Sequence, residues 1–341
     1  MTQTPLAPAT APAATAPATT RFRTALRTLA IVSCLPYIVL KAAWISGSHV
    51  GIPADSSLLD HRAAMIVANG GSVLMDSAVV VIALLLTQAW GRRVPAWLLA
   101  LPMWVATGLL LPIMTGYPLQ LLVKALGGDI TGSGGSARPF LDEWVFAVVY
   151  TGFIIQGLTL GTLFVLYAKD RWGHLWQGTL RDLPVSPTGP ALRAAAVAAS
   201  LVAVVPGIVH LLWAAGSTAG LNEALISESN SGSHVVDAVD VLFAVATVAG
   251  VLLLAFRRSS ALPLRVPLTL AWGGSGAMGC WGAWMGLAAL SSVDDVAHRP
   301  TAAVVLLYAV QMLVGTLVMT LGTYFLVERA AATRPPSGHR A

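Results

Sequence analysis

Eight long apolar segments constrain this chain more than any other feature of its sequence. A helix needs roughly 20 apolar residues to cross the hydrocarbon core of a bilayer. Runs of this length without alternation predict helices, because a backbone in lipid must satisfy its own hydrogen bonds. We therefore expect an all-α integral membrane helical bundle with eight transmembrane helices, near residues 27–45, 66–90, 94–115, 140–168, 193–215, 235–256, 266–290 and 301–327.

The composition excludes a soluble protein of ordinary type. Hydrophobic residues make up 56% of the chain and charged residues only 10%, whereas about 25% is usual for soluble domains. The net charge of +5 does not indicate nucleic-acid binding, because the basic residues lie between apolar segments. The expected partner is the lipid bilayer, and no nucleic acid is expected.

The basic residues also predict the direction of the spans. Most of the 20 Lys and Arg residues fall between segments on one side if the N-terminus is cytoplasmic, as the positive-inside rule requires. An even number of spans then returns the C-terminus to the same side. We expect a multi-pass protein of the plasma membrane with both termini in the cytoplasm.

A short motif occurs twice, 169 residues apart. "KAAWISGSHVGI" (41–52) and "HLLWAAGSTAGL" (210–221) share the positions of one tryptophan, two glycines and one serine. Later landmarks follow in the same order in both halves, including "TLGTLF" (159–164) and "TLGTYF" (320–325). The repeated residues are Trp44, Gly47, Ser48 and Gly51, then Trp213, Gly216, Ser217 and Gly220.

This repetition predicts two parallel four-helix repeats, related by an axis along the membrane normal. The expected units are a disordered Pro/Ala/Thr-rich tail (1–20), a first repeat (21–168), a cytoplasmic linker (169–192), a second repeat (193–328) and a disordered C-terminal tail (329–341). The motif has two interpretations. Tryptophan and the Gly-Ser pair suit an interfacial anchor and a helix end, or the two copies line a vestibule on the axis.

Ionisable side chains inside apolar segments are the candidate functional residues, because each is costly to bury in a membrane. The candidate cluster comprises Asp76, Asp237, Asp240, Lys41 and His210. Asp76 matches Asp237 by a Gly-Ser motif, and Asp240 by its distance from cytoplasmic arginines. Such a cluster could relay protons, bind a cation or hold a charged substrate group; ion pairing that only fixes helix packing is the alternative.

Other polar and thiol groups suggest packing roles. Gln156 and Gln311 are expected to hydrogen-bond between helices. Cys34 and Cys280 lie in apolar runs and read as small buried hydrophobic residues. No metal site or cofactor is expected, and the catalytic residues of any enzyme activity stay unknown, since HExxH, Walker A and G-x-S-x-G patterns are absent from the sequence.

The pattern Lys/His-x-x-Trp-x-x-Gly, with a further glycine four residues on, resembles that of uncharacterised polytopic membrane proteins from GC-rich actinobacteria. Those proteins are often built of four-helix units. The resemblance covers the helical body of the chain. It implies the fold, and it implies no activity, substrate or catalytic residue.

Three function classes remain open at this point. The first is a small-substrate or ion transporter with its site between the repeats. The second is a membrane-embedded enzyme or maturation factor that acts on a hydrophobic substrate. The third is a non-catalytic membrane component that docks a membrane or cytoplasmic partner protein. The intramembrane carboxylates favour the first class.

Overall fold

Long α-helices make up nearly all of the chain that the structure describes. The computed structural model describes residues 18–54, 56, 59, 62–130, 141–183, 188–257, 261–290 and 299–332. In chain order the helices are α1 (Ala18–Ile45), α2 (Arg62–Thr87), α3 (Ala96–Ala125), α4 (Glu143–Trp176), α5 (Gly189–Ala214), the short α6 (Glu223–Ser227), α7 (Ser231–Phe256), α8 (Arg265–Leu290) and α9 (Ala302–Ala332).

Seven of these helices are long and apolar enough to cross a membrane, namely α1 to α5, α7 and α9. This confirms an all-helical membrane protein with several spans. All eight predicted segments are helical, but α8 is not among the seven, so the count of eight spans stays a prediction.

The composition of α8 explains why it differs. Residues 273–280 are all buried, and they include Gly273, Gly274, Gly276 and Gly279. Glycine and serine lower the mean hydropathy of a segment, yet they let neighbouring helix backbones approach closely. Helices α3, α7 and α9 all pack against α8. The glycine-rich stretch of α8 is therefore buried at the contacts with α3, α7 and α9, whereas Leu287 and Leu290 near the end of the helix are exposed.

Three helix ends differ from the predicted boundaries. Helix α1 begins at Ala18, inside the predicted tail, and residues 1–17 lie outside the described part of the chain. Helix α4 continues to Trp176, inside the predicted 169–192 linker. Helix α9 continues to Ala332, and residues 333–341 are again outside the described part. The division into repeats stays a prediction.

The helices form two groups of three that meet through α3 and α8. Helices α1, α2 and α4 contact one another, as do α5, α7 and α9. Where α3 crosses α8, Gly108 faces Gly276, and a Cβ at Gly276 would lie 3.2 Å from the Gly108 Cα. Two backbones in contact leave no room for a cavity at this crossing.

Helix boundaries recur at the same interval as the tryptophan motif. Helices α2 and α7 begin at residues 62 and 231 and end at 87 and 256, and α3 and α8 begin at 96 and 265. Each difference is 169 residues (231 − 62, 256 − 87 and 265 − 96). The two halves therefore share a helix register over their first three long helices.

The first copy of the motif ends α1 with a tight turn. Trp44 Nε1 donates a hydrogen bond of 2.7 Å to the carbonyl of Val50, and the Ser48 hydroxyl accepts one from the Val50 N–H at 3.3 Å. Gly47 and Gly51 have φ angles of +99° and +74°, a conformation that favours glycine. The repeated residues thus close the turn that follows the helix.

The second copy makes the same contacts at the end of α5. Trp213 Nε1 donates to the carbonyl of Ala219 at 3.0 Å, and the Ser217 hydroxyl accepts from the Ala219 N–H at 3.3 Å. Gly216 and Gly220 have φ angles of +89° and +81°. The geometry agrees with the anchor interpretation of the motif, in which these residues shape a helix end.

Contacts between neighbouring elements mark the two ends of the bundle. At the end that carries the motif, the Gly51 carbonyl accepts from the Asp142 N–H before α4, and the Gly220 carbonyl accepts from the Thr301 hydroxyl before α9. We call this the tryptophan end. At the opposite end, Arg23 of α1 pairs with Asp170 of α4 at 2.6 Å; we call this the arginine end.

The turn after α1 supports a stability prediction. Trp44→Phe removes the hydrogen bond to Val50 in a site where Trp44 is only 3% exposed, so we expect a loss of about 1–2 kcal/mol in the free energy of unfolding. Trp213→Phe breaks the equivalent bond in an exposed setting and should cost less. Thermal melts in detergent measure both; equal melting temperatures for all three proteins would contradict this role of Trp44.

Candidate functional site

The second half contains a buried histidine that contacts two carboxylates. His210 Nδ1 of α5 lies 2.8 Å from Asp237 Oδ1 and 3.6 Å from Asp240 Oδ2, both on α7. On its other side, His210 Nε2 lies 2.9 Å from Gln311 Nε2 of α9. We call these four residues the histidine site. Three helices of one half supply all its members.

Local sequence explains how these side chains meet. Asp237 and Asp240 are three residues apart, so they share one face of α7. Gly207 lies one turn before His210, and a Cβ there would be 3.3 Å from Ala244 Cβ of α7. The absent side chain lets α5 and α7 approach closely where the imidazole must reach the carboxylates.

The surroundings of the histidine site are apolar and aromatic. His210 is 6% and Gln311 is 4% exposed, while the two aspartate side chains are each 18% exposed. The Trp213 ring meets the imidazole edge to face at 5.2 Å, and Tyr308 of α9 lies within electrostatic range of both carboxylates. Charged groups in such a low-dielectric setting interact strongly.

The hydrogen bonds of His210 suit two protonation states. In the neutral state, Nδ1–H donates to Asp237 and Nε2 accepts from the amide of Gln311. In the imidazolium, both nitrogens donate, and Gln311 can accept at its oxygen after its carboxamide rotates. Because a carboxamide presents a donor and an acceptor, the site can keep both ring nitrogens bonded before and after a proton binds.

The same side chains could also hold a metal ion. One ligand atom each from His210, Asp237 and Asp240 lie within 4.8 Å of one another. One imidazole nitrogen and two carboxylate oxygens are a ligand set that zinc and other divalent first-row metals accept. The sequence did not predict a metal site here, since His210 and the two aspartates come from separate helices and form no recognisable ligand motif.

The first half contains a different polar group around Asp76 of α2. Gln156 Nε2 of α4 donates to Asp76 Oδ1 at 3.3 Å and to Cys34 Sγ of α1 at 3.2 Å. Asp76 is 3% and Gln156 is 1% exposed. The predicted hydrogen bonds of Gln156 and Gln311 between helices are confirmed, and Cys34 contacts Gln156 as well as filling space.

Lys41 lies beside this group without joining its hydrogen bonds in the described structure. Its ammonium lies over the rings of Tyr37 and Trp44, 4.8 Å from each centroid. The Trp44–Lys41 and Trp213–His210 contacts occupy the same motif positions, three residues apart. In both copies the tryptophan therefore packs against the candidate ionisable residue.

The five candidate residues thus lie in two groups. His210 contacts Asp237 and Asp240, whereas Asp76 lies in the first half with Lys41 nearby. Within the part of the chain that the structure describes, no hydrogen bond or ion pair links the two groups. Asp76 lies 11 residues before the end of α2, and Asp237 and Asp240 lie 19 and 16 before the end of α7 (87 − 76, 256 − 237 and 256 − 240). At 1.5 Å per residue, Asp76 is about 8–12 Å nearer the arginine end.

Neither sequence pairing of the acids keeps the helix register. At the 169-residue interval, Asp76 corresponds to Val245 and Asp237 to Ala68. The Gly-Ser match that paired Asp76 with Asp237 is offset from this register by 8 residues, about two helical turns. The two polar groups are therefore separate features of the two halves.

Comparison with known proteins does not extend this description: no protein-family model, curated protein or solved structure matches the chain.

Proposed function

We propose that this chain is an ion transporter of the plasma membrane and that His210 is its proton-binding group. The observation that supports this most directly is the contact of a buried imidazole with two carboxylates on one side and a carboxamide on the other. Intramembrane histidine–carboxylate groups are suited to proton relay. No bond other than those to the proton changes in this chemistry.

Proton uptake and release by His210 change only hydrogen bonds and bonds to the proton. Neutral His210 takes up one proton at Nε2, Gln311 turns its oxygen towards the new N–H, and Asp237 faces the imidazolium as counter-ion. Release returns the proton from Nε2 and restores the first hydrogen bonds. The aspartates, whose side chains are 18% exposed, contact Nδ1, so exchange at Nε2 requires the Gln311 side chain to move. Access from the opposite side requires a conformational change of the alternating kind.

We assign the site to the second half, not to the interface between the halves. The crossing of α3 and α8 is filled by the Gly108–Gly276 backbone contact, whereas the candidate residues that contact one another, His210, Asp237 and Asp240, come from α5 and α7.

We also propose the finer topology, with eight spans in two parallel four-helix repeats and both termini cytoplasmic. The shared 169-residue register and the matching turns after α1 and α5 support the repeat. Helix α8 has 26 residues, about 39 Å at 1.5 Å per residue, which is enough to cross. The charge distribution supports the direction.

Cysteine labelling tests the crossing and direction of α8 together. In a chain whose native cysteines are replaced by alanine, Leu290→Cys should react with a membrane-impermeant maleimide on intact cells. Arg265→Cys, at the other end of α8, should react only after permeabilisation. Both end residues are exposed. Labelling of both from one side would contradict a crossing helix, and the reverse pattern would contradict the direction.

Proton flux in liposomes tests the proposed function. The purified chain is reconstituted into sealed vesicles, an outward potassium gradient with valinomycin makes the lumen negative, and a trapped dye reports luminal pH. We expect acidification faster than in protein-free vesicles. A rate equal to that of the protein-free vesicles would contradict proton transport.

A divalent cation is the second candidate substrate, because three ligand atoms of His210, Asp237 and Asp240 lie within 4.8 Å. The same vesicles, loaded with a zinc- or manganese-sensitive dye, distinguish metal transport from proton transport. Metal uptake without proton movement would show that the transported ion is the metal and not the proton.

A further inference from the structure

We propose a second proton-binding site at Asp76, in the first half of the chain and independent of the transport proposal. Asp76 is 3% exposed, and its Oδ2 atom is buried without a hydrogen-bond partner in the described structure. A buried polar atom without a partner needs an explanation. A proton on Oδ2 is the smallest ligand that removes the unpaired charge.

The contacts of the other oxygen agree with this assignment. Oδ1 accepts a hydrogen bond of 3.3 Å from Gln156 Nε2, as the carbonyl oxygen of a neutral carboxylic acid can. That amide nitrogen also donates to Cys34 Sγ at 3.2 Å, so its donors are divided between two acceptors. One shared neutral donor is little stabilisation for an ionised carboxylate inside an apolar bundle.

The titratable groups around Asp76 do not neutralise it through a described ion pair. From α1 it is faced by Cys34, Tyr37 and Lys41, while Gln156 of α4 is neutral. The Lys41 ammonium, the cation among them, lies over two aromatic rings. Cation–π contacts of this kind stabilise a lysine without a carboxylate.

The packing of α1 against α4 fixes this geometry. A Cβ at Gly152 of α4 would lie 3.1 Å from the Ser33 carbonyl of α1, so the two backbones are close one turn before Gln156. Glycine at this position lets the Gln156 carboxamide reach both Cys34 and Asp76. The site is therefore built from three helices and is about 8–12 Å nearer the arginine end than the acids of the histidine site.

Infrared spectroscopy of the full-length protein tests this inference without a transport assay. A protonated carboxyl group has a C=O stretching band that a carboxylate lacks, and the band shifts in D2O. We expect the wild-type chain in detergent at neutral pH to show a buried carboxylic-acid band. Asp76→Asn should remove it, and Asp142→Asn, at an exposed acid at the start of α4, should leave it unchanged.

A second variant distinguishes the loss of the Asp76 carboxyl group from a change of fold. Gln156→Met should keep the band but move it to higher frequency, because the carbonyl oxygen loses its hydrogen bond. A wild-type spectrum without the band, or a band that survives in Asp76→Asn, would overturn the proposal. Either result leaves the flux experiment on His210 unaffected, so the two proposals can fail separately.

Discussion

Replacing Gly315 by valine is expected to destabilise the bundle more than any other single substitution considered for this chain. A Cβ at Gly315 of α9 would lie 2.6 Å from the Ser275 carbonyl and would collide with Gly279, both on α8. Backbone atoms cannot move aside as a side chain can. Overpacking in a well-packed interior costs about 1–3 kcal/mol, and valine places two further methyl groups in the same gap.

The matched control is Gly322, one and a half to two turns further along the same helix. A Cβ at Gly322 has no heavy atom within 4 Å, so Gly322→Val places its methyl groups in an apolar cavity that Val318 and Phe325 also line, without a collision against a backbone. Thermal melts of both variants in the same detergent make the comparison. A Gly315→Val protein that melts with the wild type would show that α8 and α9 are not in backbone contact.

The sequence predicted the helices better than their arrangement. Every predicted apolar segment coincides with a long helix, because the length of an apolar run alone fixes this outcome in lipid. The contacts of α8 with three other long helices were not predictable from hydropathy, which does not say which segments pack together. Its glycines favour close helix packing, but which helices they contact depends on the three-dimensional arrangement of α3, α7 and α9.

The sequence predicted which residues are candidates for a site, but not which of them contact one another. Each of the five ionisable residues was visible as a charge or imidazole in an apolar run. Whether two such residues meet depends on helix register, and a Gly-Ser pair is too common in this chain to fix it. The Asp76–Asp237 pairing does not keep the 169-residue interval of the helix boundaries, whereas the tryptophan motif, which shapes a turn, recurs at that interval.

Loss of the imidazole at position 210 is the functional prediction with the largest effect. His210→Gln keeps a polar side chain of similar size between Asp237 and Gln311, but it cannot bind and release a proton near neutral pH. A positioned acid–base group contributes about 10²–10⁴-fold to a proton-transfer step. We therefore expect the protein-dependent proton flux into vesicles to fall at least about 100-fold.

The control for this variant is His234, a histidine near the same end of the bundle. Its Nδ1 lies 3.0 Å from the Trp213 carbonyl and 3.2 Å from the Ala214 carbonyl, so it caps the end of α5 and contacts neither carboxylate in the described structure. His234→Gln should lower the melting temperature modestly and leave the flux within about twofold of the wild type, since a surface-type hydrogen bond contributes about 1 kcal/mol.

Asp237→Asn separates proton binding from packing at the histidine site. The asparagine oxygen can still accept from His210 Nδ1–H, so the neutral state keeps its hydrogen bond and the protein should fold. The imidazolium, however, loses the counter-ion 2.8 Å away, and charge-assisted hydrogen bonds are about twice as strong as neutral ones. Flux should therefore fall with little change in melting temperature. A variant with a lower melting temperature and wild-type proton flux would identify Asp237 as a packing residue, because loss of the counter-ion should affect proton binding more than folding.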